Sequence, residues 1–189
     1  MKTELEKNEK ELKKATLLIV FGFLIMTLSA LLPFATANEE YRAYLQKNAD
    51  MWEIKEVGLT KGDSIDISIA EYIRMYSYAA GKGVGEEIAI TFLVLIGIVI
   101  FMGILCVEGA VHKHPKGVIV ADIISSIVYA VMAMDFVGRG VIGESRYKFG
   151  FGVYVYGVAI IVILMGAILM IRAGKQVKNG GEIGEDDIE

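Results

Sequence analysis

Two aspartates, Asp122 and Asp135, lie in an otherwise apolar stretch of the chain and are the first candidates for chemistry. An ionisable group inside a membrane is costly, so by default it marks a functional site such as an ion path or proton relay. Ser126 and Tyr129 lie one to two helical turns after Asp122, and these three residues could line a hydrated path. Asp135 has Arg139 four residues further on, a spacing that allows an ion pair on one helix face. The pattern predicts an intramembrane polar site formed by these five residues.

Other chemistries find less support in the sequence. The two aspartates would be about 19 Å apart along a helix, too far for a pair of catalytic carboxylates. Glu108, His112 and His114 can bind metals, as can the single cysteine, but the chain has no CxxC or HExxH spacing. The glycines of residues 81–85 lack the spacing of a phosphate-binding loop, and no basic face suggests nucleic acid. We therefore predict a protein that is not an enzyme and that uses no metal or cofactor.

The elements that would position these residues are long apolar helices. The composition is 54% hydrophobic and 22% charged, and the uncharged residues form three long runs over residues 15–38, 88–107 and 149–171. About 20 apolar residues are needed to cross a bilayer. A fourth stretch, residues 118–137, is interrupted by the two aspartates. We predict an all-α membrane protein, a four-helix transmembrane bundle with spans over residues 15–37, 88–107, 118–137 and 149–171.

Two of these spans have an alternative interpretation. The uncharged part of the third span is only 12 residues, 123–134, and could belong to an amphipathic helix on the membrane surface, although it lacks a strongly polar face. The first span could be a signal peptide, because Ala35-Thr36-Ala37 has the form of a cleavage site. Its apolar region, residues 16–34, is longer than that of most signal peptides, which favours an uncleaved span.

The distribution of positive charges predicts the orientation. Five lysines lie in residues 1–14, which we expect to be a charged cytoplasmic helix, so the positive-inside rule places both termini in the cytoplasm of a cell-membrane protein. Residues 38–87 then form an extracytoplasmic subdomain of about 50 residues. The remaining segments are a cytoplasmic loop (108–117), an outer loop (138–148) and a disordered acidic cytoplasmic tail (172–189). Three positive charges in the outer loop oppose this assignment mildly.

The subdomain between the first two spans has recognisable local patterns. Ser68 and Glu71 have the spacing of a capping box, so they predict a helix start, and Gly81 predicts its end. This helix would carry Tyr72 and Tyr76 on one face. Those tyrosines and Trp52 pack inside the subdomain in one interpretation and form a partner-binding face in the other.

Small residues predict where helices pack closely. Gly152, Ala159 and Gly166 recur every seven residues along the fourth span, and Ala121 and Ser125 form a small-xxx-small pair in the third. The expected contact is between the third and fourth spans, with self-association as the alternative. Five aromatic residues near the start of the fourth span are typical of a membrane-interface belt: Tyr147, Phe149, Phe151, Tyr154 and Tyr156.

The long loop contains Trp52 and Gly58-Leu59, but neither a second tryptophan nor a cysteine. The order of a short inner end, a span, this loop and three closely spaced spans resembles the topology of claudin-like proteins, whose loop carries a W…GLW…C…C signature. Topology without that signature assigns no family.

We expect a small membrane protein that acts by partner binding or self-association, as an accessory, immunity or sensor-like subunit. Its partners would be the lipid bilayer and other membrane proteins or its own copies. A small channel or transporter subunit using Asp122 is the alternative.

Overall fold

The structure, a computed structural model, describes residues 2–143 and 146–182. These residues form six α-helices and five short strands. In chain order they are α1 (Lys2–Ser29), β1 (Pro33–Ala37), α2 (Glu39–Lys47), β2 (Trp52–Ile54), β3 (Leu59–Thr60), β4 (Asp66–Ser68), α3 (Ile69–Gly81), α4 (Glu86–Val111), α5 (Pro115–Gly138), β5 (Tyr147–Phe149) and α6 (Phe151–Glu182).

Four of the helices are long and apolar enough to cross a membrane. The spanning segments are Glu6–Ser29, Glu86–Val111, Pro115–Gly138 and Phe151–Gly174. Large apolar side chains cover their outward faces and are about half exposed or more, as expected of surfaces that face lipid tails rather than water. Leu17, Phe101, Ile127 and Ile161 are examples. The prediction of a helical membrane protein with four apolar spans is thus confirmed.

The four long helices form a bundle in which sequence neighbours are not always the closest partners. α1 packs most extensively on α6, and α4 packs most extensively on α5. Smaller contacts join α1 to α4 and α5 to α6, which closes the ring of helices. The bundle therefore consists of two tight antiparallel pairs with a looser seam between α5 and α6.

The first span ends earlier than the predicted residues 15–37. α1 ends at Ser29, and residues 33–37 form strand β1 instead of further helix. Pro33 explains the difference, because a proline lacks the amide hydrogen and its ring clashes with the carbonyl group four residues earlier. That carbonyl belongs to Ser29, the last residue of the helix. The Ala35-Thr36-Ala37 segment lies in this strand.

A three-stranded antiparallel sheet modifies the predicted all-α fold. Strand β1 lies in the centre, with β4 on one side and β5 on the other. Ala35 pairs with both Ile67 and Phe149, so one strand joins the segment after the first span to the segment before the last. We use the term "sheet end" for residues 30–85, 139–143 and 146–150, and "terminal end" for the opposite end of the bundle, where α1 begins and α4 turns into α5.

The residues between β1 and α4 form a folded region of short elements. Asn38 caps α2 by accepting a hydrogen bond from the Tyr41 amide. Strands β2 and β3 form a hairpin. The predicted capping box is present at α3, because Ser68 Oγ accepts from the Glu71 amide at 3.2 Å and the Glu71 carboxylate accepts from the Ser68 amide at 2.7 Å. The predicted helix end at Gly81 is also observed.

Aromatic side chains join this region to the bundle. The Phe34 ring on β1 makes edge contacts with Tyr72, Phe136 and Phe149, with centroid distances of 6.1, 5.3 and 6.0 Å. Such pairs stabilise a fold beyond the burial of their area. The sheet end and the spans therefore share one hydrophobic core.

The ends of the chain are more helical than the sequence suggested. Residues 2–14 continue α1, as predicted, and Lys13 forms an ion pair with Glu9 at 2.9 Å. The predicted disordered tail began at residue 172, but α6 continues to Glu182. Most of residues 172–178 favour helix, which explains why α6 continues past residue 171. Asn179, Gly180 and Gly181 do not favour helix, and no local preference explains the last turn. Residues 183–189 lie outside the described part of the chain.

Candidate functional site

The most unusual group in the spans is the carboxylate of Asp122. Its residue is fully buried on α5, and neither carboxylate oxygen has a hydrogen-bond partner within the described residues. A buried carboxylate without a partner pays a large desolvation cost if it carries a charge, so the neutral acid is the form that fits this environment. Asp122 is the only acidic or basic residue that the described structure buries completely.

Polar side chains from three helices surround this position. Cys106 on α4 donates a 3.6 Å hydrogen bond to the main-chain oxygen of Val118, one turn before Asp122 on α5. Ser125, one turn along α5, shares a 2.8 Å hydrogen bond with the hydroxyl of Tyr156. The Tyr129 ring stacks on the Tyr156 ring with a centroid distance of 3.7 Å. We call these residues the buried polar cluster: Cys106, Asp122, Ser125, Tyr129 and Tyr156.

The five residues of the predicted polar site therefore lie in two separate places. Tyr129 belongs to the buried polar cluster, and Ser126 donates a 2.7 Å hydrogen bond to the main-chain oxygen of Asp122. Asp135 lies in the last turn of α5, and its side chain forms an ion pair at 2.7 Å with Arg139 at the sheet end. Arg139 also donates a 2.9 Å hydrogen bond to the hydroxyl of Tyr76, a contact that no sequence pattern indicated.

An open apolar groove of about 650 Å³ runs along the seam between α5 and α6. Ser126, Tyr129 and Tyr156 contribute to its wall, whereas Asp122 does not. The groove also borders Gly157, where an added Cβ would meet no atom within 4 Å. The carboxylate of Asp122 is thus sealed from this groove in the described conformation.

The small residues of the fourth span pack against α1 rather than α5. At Gly166 an added Cβ would lie 3.0 Å from the Ala15 main-chain oxygen, and at Gly152 it would lie 3.0 Å from the Ser29 oxygen at the end of α1. Ala159 is fully buried on the same face, and its oxygen is the close neighbour of Gly22. The expected contact between the third and fourth spans is therefore wrong for this seam.

The small residues of α5 lie in two different environments. Ser125 belongs to the buried polar cluster, and Ala121 lines a second groove, between α4 and α5. Neither residue packs directly on the glycine seam of α6. Small residues indicate close approach of helices, but the type alone does not say which helix approaches.

The predicted partner face does not form one surface. Tyr72 is 4% exposed, and Tyr76 is half-buried beside it, with ring centroids 6.1 Å apart. Both rings pack on Phe92 and Phe136 of the spans. Trp52 is 53% exposed on the β2–β3 hairpin, and no ring contact within the described residues joins it to either tyrosine. Only Trp52 remains accessible to a partner.

The predicted aromatic belt is also divided. Phe151 and Tyr154 are largely exposed at the start of α6, which suits side chains at a membrane interface. Tyr147 is instead buried, and its hydroxyl donates a 2.8 Å hydrogen bond to the Ser64 main-chain oxygen. Tyr156 belongs to the buried polar cluster. The sequence pattern predicts one interface belt for all five aromatic residues and does not indicate strand β5, which directly precedes α6.

The metal-capable residues near the α4–α5 turn do not converge. His112 and His114 are exposed with ring centroids 6.5 Å apart. Within residues 2–143 and 146–182, no three histidine, cysteine or acidic side chains form a group able to hold a metal ion.

Comparison of the chain with known protein families, with curated proteins and with solved structures finds no match.

Proposed function

We propose that this chain is a non-enzymatic integral membrane protein that acts by binding other membrane proteins or its own copies. The observation that supports this proposal is an exposed patch at the sheet end formed by Tyr44, Met51 and Trp52. These side chains are 50%, 54% and 53% exposed, although aromatic and methionine side chains are enriched at protein interfaces rather than on free surfaces.

Thr60 and Lys61 bring the segments that carry these three residues together. The main-chain amide of Lys61 donates to the Met51 oxygen at 2.8 Å, and its ammonium group donates to the Tyr44 hydroxyl at 2.9 Å. Trp52 pairs with Thr60, the residue before Lys61. Single exposed apolar residues are ordinary on protein surfaces, but a contiguous group of them suggests an interaction site.

A photoreactive amino acid at position 51 tests this patch in native membranes. We expect a crosslinked product, and we expect Trp52→Ala to weaken the underlying binding about thirtyfold and to reduce the yield accordingly, because a central tryptophan commonly contributes about 2 kcal/mol or more to binding. Lys55→Ala is the matched control on the same hairpin, with an exposed side chain and no expected loss. A yield that is unchanged by Trp52→Ala would contradict the proposal.

We also propose that the sheet end is the extracytoplasmic subdomain of a cell-membrane protein with both termini in the cytoplasm. The support is the group of lysines in residues 1–14, which begins the first span at the terminal end. An even number of spans keeps both termini on one side.

A small channel or transporter subunit is the second candidate, and the buried, unpartnered carboxylate of Asp122 favours it. An ionisable residue that is retained inside spans by default serves an ion or proton pathway. In that case Asp122→Asn should change ion or proton flux into liposomes by about tenfold or more while leaving the protein folded. Ser77→Ala, at an exposed position of α3, is the control. The absence of flux with the unmodified protein would exclude this candidate.

A further inference from the structure

The second groove of the bundle lies between α4 and α5 at the terminal end and has a volume of about 530 Å³. Its walls come from the last turns of α4 and the first turns of α5. The lining residues used below are Met102, Leu105, Glu108, Lys116, Gly117 and Val120.

The lining changes character along the groove. Met102, Leu105 and Val120 form an apolar floor toward the middle of the spans, whereas Glu108 and Lys116 lie at the mouth beside the turn. Both helices are membrane spans, so this boundary between apolar and charged residues lies where lipid tails meet headgroups. The groove thus has the two-part chemistry of a phospholipid rather than that of a water-soluble ligand.

The charges at the mouth favour an anionic headgroup. Lys116 is exposed and has no ion pair or hydrogen bond within the described residues. Lys113 lies in the adjacent turn, and the first turn of α5 has no acidic side chain. A phosphate group would therefore meet an available ammonium group and no competing carboxylate in the first turn of α5.

One carboxylate limits how much negative charge the ligand can carry. Glu108 is the only acidic residue in the lining of the groove. Its repulsion disfavours headgroups with several phosphates but is compatible with a single phosphodiester, especially one whose hydroxyl groups can donate hydrogen bonds to the carboxylate.

A missing side chain keeps the mouth open. Among the described residues an added Cβ at Gly117 would have only one neighbour, His114 Cβ at 4.0 Å, so no packing requirement there explains a glycine. Glycine also lowers helix stability relative to alanine.

From these observations we propose that the α4–α5 groove binds one anionic phospholipid, with the phosphate near Lys116 and an acyl chain along Met102, Leu105 and Val120. This proposal does not depend on the orientation or the function proposed above.

Native mass spectrometry of the full chain tests the proposal. The protein is stripped of lipid in detergent and then titrated with phosphatidylglycerol, with phosphatidylcholine of the same chain length, or with inorganic phosphate. We expect the protein to bind its first phosphatidylglycerol about tenfold more tightly than its first phosphatidylcholine. Lys116→Gln should remove most of that preference, because a charged hydrogen bond is lost. Inorganic phosphate should not displace the lipid.

Gly117→Leu tests the shape of the mouth, because the added side chain would occupy it. We expect at least a fivefold loss of phosphatidylglycerol binding. Gly97→Leu is the matched control, since Gly97 lies on α4 with equally open surroundings and outside the groove. Equal binding of the two lipids would overturn the proposal, as would binding that neither Lys116→Gln nor Gly117→Leu reduces. Displacement by inorganic phosphate would show a free-anion site instead.

Discussion

The hydroxyl groups of Ser125 and Tyr156 illustrate what a single residue contributes to this bundle. Both residues are buried between α5 and α6, and each hydroxyl is the other's partner. A buried hydroxyl that loses its partner costs more than the hydrogen bond itself contributes, because no water replaces the partner inside the bundle.

Tyr156→Phe should therefore lower the free energy of unfolding by about 1 kcal/mol, because it leaves the Ser125 hydroxyl unpaired. Removing both hydroxyls with Ser125→Ala and Tyr156→Phe should cost no more than the single change. Unfolding in mixed micelles measures the two variants and their combination. If the two single effects add in the double variant, the hydroxyls act independently and the interpretation fails.

Tyr72 leads to a different prediction, because its buried hydroxyl has no hydrogen-bond partner in the part of the chain that the structure describes. Burial raises the pKa of this hydroxyl above its usual value, so it stays protonated in the folded chain while the unfolded chain ionises near pH 10. Its contribution to stability is present below about pH 10 and falls as the pH rises above that value.

Tyr72→Phe should thus leave the free energy of unfolding at pH 7 nearly unchanged. Between about pH 10 and 11, the free energy of unfolding should fall less in this variant than in the unmodified protein. Thermal unfolding across that pH range measures both effects. Tyr154→Phe, at an exposed ring, is the control and should keep the decline. A large loss of stability for Tyr72→Phe at pH 7 would mean that the hydroxyl has a partner.

At the scale of elements, the glycines of α6 serve different purposes. An added Cβ at Gly166 would meet Ile19 Cγ1 at 2.7 Å and the Ala15 oxygen at 3.0 Å, so α1 needs this position to be bare. An added Cβ at Gly157 would meet nothing within 4 Å. The same residue type on the same helix therefore has a packing role at one position and none at the other.

Gly166→Ala should destabilise the protein by about 1–3 kcal/mol, because α1 and α6 would have to move apart. Gly157→Ala is its matched control and should be neutral or stabilise by up to about 1 kcal/mol, since alanine favours the helix. Unfolding in the same micelles compares the two. Equal effects at both positions would show that the α1–α6 contact is not this close.

The sequence was sufficient for the elements with long patterns and insufficient for the short ones. Spans of 20 or more apolar residues and the Ser68–Glu71 capping box were predictable, because each has a local cause. Strand β5 has only three residues, too few for alternation to stand out, and its aromatic residues resembled an interface belt. Pro33 was the available indication that α1 ends early, since it excludes helix at that point.

At the scale of the whole molecule, the partner of each helix depends on contacts that no local pattern contains. The close helix contact predicted at Gly152, Ala159 and Gly166 exists, but the helix that makes it is α1 and not α5. α1 lies about 130 residues earlier in the chain. The burial of Asp122 likewise depends on α4 and α6 together. Asp122 could thus be identified as a candidate from the sequence, but its complete burial could not be predicted.

The proposed orientation can be tested on intact cells, because the native Cys106 is buried and should not react with a thiol reagent. Lys55→Cys at the sheet end should be labelled by a membrane-impermeant maleimide. Lys116→Cys at the terminal end should be labelled only after permeabilisation. Both positions are exposed, so the reverse pattern would place the sheet end in the cytoplasm.

The central position of β1 in its sheet constrains how the protein can be made. β1 leaves the ribosome directly after the first span, yet β5, its neighbour on one side, is synthesised about 110 residues later. During that interval one edge of β1 has unpaired amide and carbonyl groups, which can pair with other chains. Synthesis that stops before residue 147 would therefore leave three spans in the membrane and an aggregation-prone strand edge beside them. The sheet can be completed only after residues 147–149 have been synthesised, directly before the last helix.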